Sequence, residues 1–127
     1  MSSKTIINTK NAPAPIGPYN QAVKVNNLLF ISGQIAIDPV TSTIIAKNIE
    51  EETHQVMCNL DSILREAGVD FANVVKTSIF LSDMNNFAKV NEVYGSYFTD
   101  NFPARETVEV SRLPKDVNVE ISVIAHC

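Results

Sequence analysis

Between Asn48 and Gly68 the chain carries the segment that most restricts its fold. Ile49, Thr53, Val56, Met57, Leu60, Ile63, Leu64 and Ala67 fall on one helical stripe. Asn48 is placed to cap the start, with Glu51 three residues later completing a capping-box-like pair, and Gly68 stands where a helix stops. The Glu50-Glu51-Glu52 run puts favourable negative charge at the N-terminal turn. Such a stripe needs an apolar surface to lie on, and strand-like segments flank it on both sides. The pattern predicts strands over Gln21–Val25 and Leu28–Ile37, joined by a turn at Asn26-Asn27 and ended by Asp38-Pro39. A third strand is expected over Val74–Leu81. A second helix follows over Asn86–Phe98, with Phe87, Val90, Tyr94 and Phe98 at helical spacing and Gly95 weakening it. Strands over Arg105–Arg112 and Val117–Ala125, linked by a turn with Pro114 and Asp116, complete the chain. The order is β-β-α-β-α-β-β. It describes one α+β domain over residues 1–127, with both helices on one face of a single sheet. Pro13, Pro15, Gly17 and Pro18 keep Asn8–Pro18 extended, as an ordered loop.

At 14.0 kDa a folded chain buries about two-thirds of its surface, so a core without disulfides or metal is expected. Ten Lys and Arg against fourteen Asp and Glu give a net charge of −4, a poor start for binding a phosphate backbone. Glycines stand only at 17, 33, 68 and 95, which excludes a dinucleotide fingerprint and a Walker A loop. Cys58 and Cys127 form no CxxC pair, and no HExxH or Cys/His cluster accompanies them. No cofactor and no metal are therefore expected. The opening segment, Met1 to Thr5, lacks the apolar core of a signal peptide, and the longest apolar run is Leu28–Ile31. No membrane partner is expected. A reducing, cytoplasmic location is, although an organelle peptide already removed would leave no trace.

Strand alternation suggests where chemistry could sit. Val108 and Val110 share one parity, and Arg105, Thr107 and Glu109 the other; in the last strand Val119, Ile121, Val123 and Ala125 oppose Glu120 and Ser122. If the valine-rich faces meet the helices, Arg105, Thr107 and Glu120 share the helix-free side with Phe80 and Ile124. A half-apolar face of that kind calls for a cover, most simply a second subunit. Arg105 follows Phe102-Pro103-Ala104 and suits bidentate recognition of a carboxylate. Its bland alternative is a structural ion pair with Glu109 or Glu120. Glu120, between Val119 and Ile121, is a candidate desolvated carboxyl for proton transfer; its alternative is an ordinary solvent-facing strand residue. Together the two could handle a small organic acid. His54 and His126 read as solvated, Cys58 as a thiol packed at a helix edge, and Tyr94, Tyr97 and Phe98 as core.

Several segments together resemble the YjgF/Rid family. Ala14-Pro15-Ile16-Gly17-Pro18-Tyr19 and Gln21-Ala22-Val23 resemble its N-terminal signature, and Leu29-Phe30-Ile31-Ser32-Gly33-Gln34-Ile35 its first long strand. Phe102-Pro103-Ala104-Arg105, Arg112-Leu113-Pro114 and Val119-Glu120-Ile121 resemble its C-terminal signature. The resemblance implies a chorismate-mutase-like fold with a mixed sheet, in a homotrimer with clefts between subunits. It implies hydrolysis of enamine and imine intermediates of the 2-aminoacrylate and 2-iminobutanoate type to 2-oxo acids and ammonia. Those intermediates would come from pyridoxal-phosphate enzymes, and the family needs no cofactor for the step. Arg105 matches the arginine that grips the substrate carboxylate, and Glu120 the glutamate that activates water. Tyr19, Ser32, Gly33 and Asn91 match residues that line or close the cleft. Thr107 stands where many members carry cysteine and keeps a backbone donor for substrate binding. Glu106 replaces a usually small residue and should point away from Arg105, and Asn20 replaces a usual serine. The alternatives are a non-catalytic ligand-binding or regulatory member, and an endoribonuclease or translation inhibitor. Arg105, Arg112 and Lys115 are too few for the extended phosphate contact that the latter needs.

Overall fold

The computed structural model describes residues 3–127; Met1 and Ser2, part of the opening segment read for targeting signals, lie outside them. The strands are β1 (Thr5–Ile7), β2 (Ala22–Val25), β3 (Leu28–Gln34), β4 (Val74–Leu81), β5 (Ala104–Glu109) and β6 (Val119–His126). The helices are α1 (Ile49–Glu66) and α2 (Phe87–Gly95). The strands form one sheet in the order β1-β2-β3-β6-β4-β5, antiparallel except for the β4–β5 pair. The sheet is thus mixed, and both helices pack on one side of it. Val56, Met57, Leu60, Ile63 and Leu64 of α1 and Val90 and Tyr94 of α2 share a core with Leu29, Ile79, Leu81, Val119, Ile121 and Val123. Among the described residues, no helix is long and apolar enough to cross a membrane.

The first helix forms as the stripe dictates. Asn48 accepts the Glu51 backbone N–H at 2.8 Å, and Gly68, at φ +82°, takes the left-handed conformation that ends it. Asn26 turns the β2–β3 hairpin at φ +53°. Two buried polar residues of this helix reach beyond it. Glu52 is not a solvated helix-end charge: it is fully buried and accepts from the Asn118 backbone N–H at 2.7 Å and its side-chain amide at 2.8 Å. Asn59, also buried, donates to the carbonyls of Ile35 and Ile37. Through these two polar residues α1 fixes the start of β6 and the exit of β3, the two segments that flank Glu120 and Gly33.

Other boundaries shift for local reasons. β1 adds a short first strand that three residues could not announce. The second helix ends at Gly95 instead of Phe98, because the amides of Ser96, Tyr97 and Phe98 bond three residues back, the tighter pattern of a closing turn. The strand expected to reach Ile37 stops at Gln34. Ile31 pairs with Val123 but Gln34 pairs with Ile121, so Ser32 and Gly33 oppose Ser122 alone in a bulge.

The largest correction concerns the sheet faces. Arg105 and Thr107 do not share a side with Glu120. The β4–β5 register sets Arg105 beside Thr77 and Thr107 beside Ile79, both fully buried under the helices. Glu120 pairs with Phe80, which in turn pairs with Val108, on the open side. The valines misled because β5 is an edge strand. The helices give it little cover, and the open face is itself partly apolar, with Phe30 and Val108 each exposed by more than two-fifths.

Candidate functional site

The structure divides most of the expected site residues between two cavities, with Ser32 and Thr107 outside the lining of either. The first surrounds Glu120. Tyr19, Gly33 and Pro114 line, with it, a cavity of about 320 Å³ that also touches Pro13, Ile16 and Ile35. The N-terminal loop reaches this position because Gln21, 2% exposed, organises it from inside. The Gln21 amide nitrogen donates to the carbonyls of Thr9, Ala12 and Pro13, and its oxygen accepts the Thr9 N–H. Tyr19 folds back on the same loop, its hydroxyl accepting from the Ile16 N–H at 3.3 Å. Across the cavity the bulge presents Gly33 to the glutamate: a β-carbon there would stand 2.6 Å from Glu120 Oε2. Ser32, the other bulge residue, is not in the cavity lining; its hydroxyl donates to the Asn20 carbonyl at 2.7 Å, tying β3 to the loop.

Partial burial holds the Glu120 carboxyl above its ordinary range, with no charged partner opposing the shift. Such a group keeps a proton to a higher pH and returns it readily, the property wanted of a general acid and base. The sign of the linkage follows. A carboxyl that binds its proton more tightly when folded contributes stability at pH values below the ordinary carboxylate range and loses it as the pH rises through the folded value. At neutral pH the ionised Glu120 is therefore a liability to the fold. Glu120→Gln is expected to raise the Tm at neutral pH, with the advantage shrinking to nothing below about pH 4. Calorimetry across that range checks it, and a Tm for Glu120→Gln below that of the native protein at neutral pH would contradict it.

The second cavity surrounds Arg105. With Asn91, Tyr94, Gly95, Phe102 and Pro103 it lines a cavity of about 340 Å³ on the helix side. Arg105 makes neither of the ion pairs considered for it. Glu109 accepts from the Met84 N–H at 2.7 Å, and Glu120 lies on the other face. Instead the guanidinium carbon sits 5.2 Å from the Tyr94 ring centre and 5.7 Å from that of Phe87. Tyr94, expected only as core, carries its hydroxyl to Thr77 at 2.9 Å, and burial raises its pKa. Thr107 is two residues along the same face, and its hydroxyl is buried with no hydrogen-bond partner among the described residues. Glu106 points away from Arg105, as alternation required. On the open face it accepts from Ser78 and pairs with Lys76 at 3.0 Å, and these bonds hold its pKa down.

Sequence reasoning missed Phe87, Gln21 and Gly33's steric role, although the first carries a signal in hindsight: seven residues separate Phe87 from Tyr94, two turns of one helix face. His54 is exposed as expected and meets the Tyr97 hydroxyl at 2.9 Å, away from both cavities. Among the described residues, no group of three or more His, Cys, Asp or Glu could hold a metal ion.

A family model described as endoribonuclease L-PSP matches residues 9–127. The chain belongs to this family, the YjgF/Rid family. A RutC family protein from Pyrococcus horikoshii is 54% identical over 97% of this chain and 98% of its own length. The human 2-iminobutanoate/2-iminopropanoate deaminase is 46% identical over 96% of this chain and 89% of its own. Among solved structures, a protein of unknown function of the conserved Rid family from Yersinia pestis superposes with a TM-score of 0.96 at 49% identity, covering 98% of this chain and all of that one. The chorismate-mutase-like α+β architecture of the YjgF/Rid family is therefore the fold of this chain.

Proposed function

We propose that this YjgF/Rid protein hydrolyses small 2-imino acids and their enamine tautomers to 2-oxo acids and ammonia, in clefts shared between copies of the chain in a homotrimer. One observation carries the proposal. A half-buried carboxyl and an arginine with no carboxylate partner among the described residues line separate cavities on opposite faces of the sheet. Neither cavity alone suits a substrate that bears both a carboxylate and a C=N bond. A second copy bringing its Glu120 cavity against the Arg105 cavity of the first supplies both functions.

The chemistry then asks little of the protein. Arg105 holds the substrate carboxylate with its paired N–H donors, Asn91 lines the same cavity, and Thr107 lies two residues along the strand. The imine carbon is already electrophilic, so no protein nucleophile is required. The Glu120 carboxylate accepts a proton from water as the oxygen adds to that carbon, then delivers the proton to nitrogen. Glu120 then takes the carbinolamine hydroxyl proton as the C=O bond forms and passes it to the nitrogen, so the C–N bond breaks and ammonia and the 2-oxo acid leave. Human and mouse relatives named 2-iminobutanoate/2-iminopropanoate deaminase, at 46% and 47% identity, support the assignment. So does a structure of Escherichia coli TdcF with bound serine, a carboxylate ligand of suitable size, at 39% identity and a TM-score of 0.93. The family's ribonuclease description finds less support in a chain of net charge −4.

Threonine dehydratase, a pyridoxal-phosphate enzyme, generates the substrate in place, and semicarbazide traps whatever escapes. The protein is expected to suppress semicarbazone formation in proportion to its concentration, and Arg105→Ala to lose that effect. Equal semicarbazone yields with native protein, Arg105→Ala and no protein would refute the assignment.

A further inference from the structure

We infer that Phe87 and Tyr94 are positioning residues for Arg105, holding its guanidinium by their ring faces so that its N–H donors stay free for a substrate carboxylate. The inference rests on the carboxylate-binding role proposed for Arg105. The Arg105 guanidinium has no hydrogen bond or ion pair with any described residue. What it has is two aromatic faces, 5.2 and 5.7 Å from the guanidinium carbon. A ring face attracts a cation through its quadrupole and accepts none of its directed hydrogen bonds in doing so. Tyr94 can offer only that face, because its hydroxyl is committed to Thr77. Phe87 is 38% exposed at the start of α2, where core packing gives little reason for a phenyl group. The pair restricts the guanidinium before substrate arrives, so less orientational freedom is lost on binding. Its product is a site selective for imines that carry an adjacent carboxylate over those that do not.

Phenylalanine carrying zero to three ring fluorines, incorporated at position 87 of the full chain, withdraws charge from the ring face with little change of size. The probe is 2-oxobutanoate, and a second readout, the proton shift of the Arg105 Nε–H in ligand-free protein, reports the ring current directly. The expected result is a stepwise, several-fold rise in the Kd with fluorination and a similar rise in Phe87→Leu. Phe87→Tyr should bind as the native protein does. The Nε–H proton should resonate upfield of free arginine and return toward it in Phe87→Leu. A native Nε–H shift equal to that of free arginine would overturn the inference. So would a 2-oxobutanoate affinity that ignores fluorination while Arg105→Ala abolishes it. If the native protein binds no 2-oxobutanoate at all, the deaminase assignment fails, and the Nε–H shift still decides for or against the aromatic hold.

Discussion

Arg105→Ala and Glu120→Gln, each inactive alone, are expected to restore activity when unfolded together and refolded as a mixture. Each substitution by itself should lower kcat/KM by about 100-fold or more, the usual consequence of losing a charged anchor or a general acid–base group. The two side chains lie on opposite faces of one sheet, and the proposed cleft takes one from each of two chains. In a random equimolar mixture, half the chains keep Arg105 and half keep Glu120. About a quarter of the clefts then combine an intact arginine with an intact glutamate, whatever the number of subunits in a closed ring. The native protein mixed with the doubly substituted chain gives the converse test. Activity should fall to about a quarter for a shared cleft, against about half for a cleft built within one chain. A first mixture that stays inactive, with a second that keeps half, would place the reaction inside a single protomer.

That two-faced arrangement is where the sequence was least legible. The helix stripe from Ile49 to Ala67 declared itself because burial there is continuous and α1 obeys one period over its whole length. Arg105 and Glu120 were legible as a pair of residue types, and Glu106 was correctly turned away from Arg105 by simple alternation. Which face each strand shows was not legible, since β5 is an edge strand whose valines point to the open side. Register, set by pairing with β4, decides it, and register is a property of two segments at once. The same holds for Glu52, Asn59 and Gln21. Each is a polar residue in a polar-looking context, and its burial depends on distant backbone groups at Asn118, Ile35 and Thr9. The bulge at Ser32-Gly33 follows the apolar run Leu28–Ile31, and only the mismatch with β6 reveals it.

Gly33→Ala is expected to separate activity from stability. The added β-carbon would lie 2.6 Å from Oε2, 2.9 Å from Cδ and 3.1 Å from Cγ of Glu120. Contacts that short cannot persist, and the atoms in the way belong to the end of a flexible side chain, not to backbone. The glutamate therefore moves and the bulge stays, so the Tm should change little. Catalysis has no such tolerance. A displacement of about 1 Å in a group that must align water with an imine carbon costs on the order of 100-fold in rate. Displaced toward solvent, Glu120 gives up part of the burial that holds its pKa up, and the acidic limb of the kcat profile should shift to lower pH. A larger residue at 33 would displace the carboxylate further and deepen both effects, whereas Ser32→Ala, which loses one hydrogen bond to Asn20, should leave the pH profile where it was. Native kcat in Gly33→Ala, or a large fall in its Tm without a shift in the profile, would show that the glycine serves the bulge and not the glutamate.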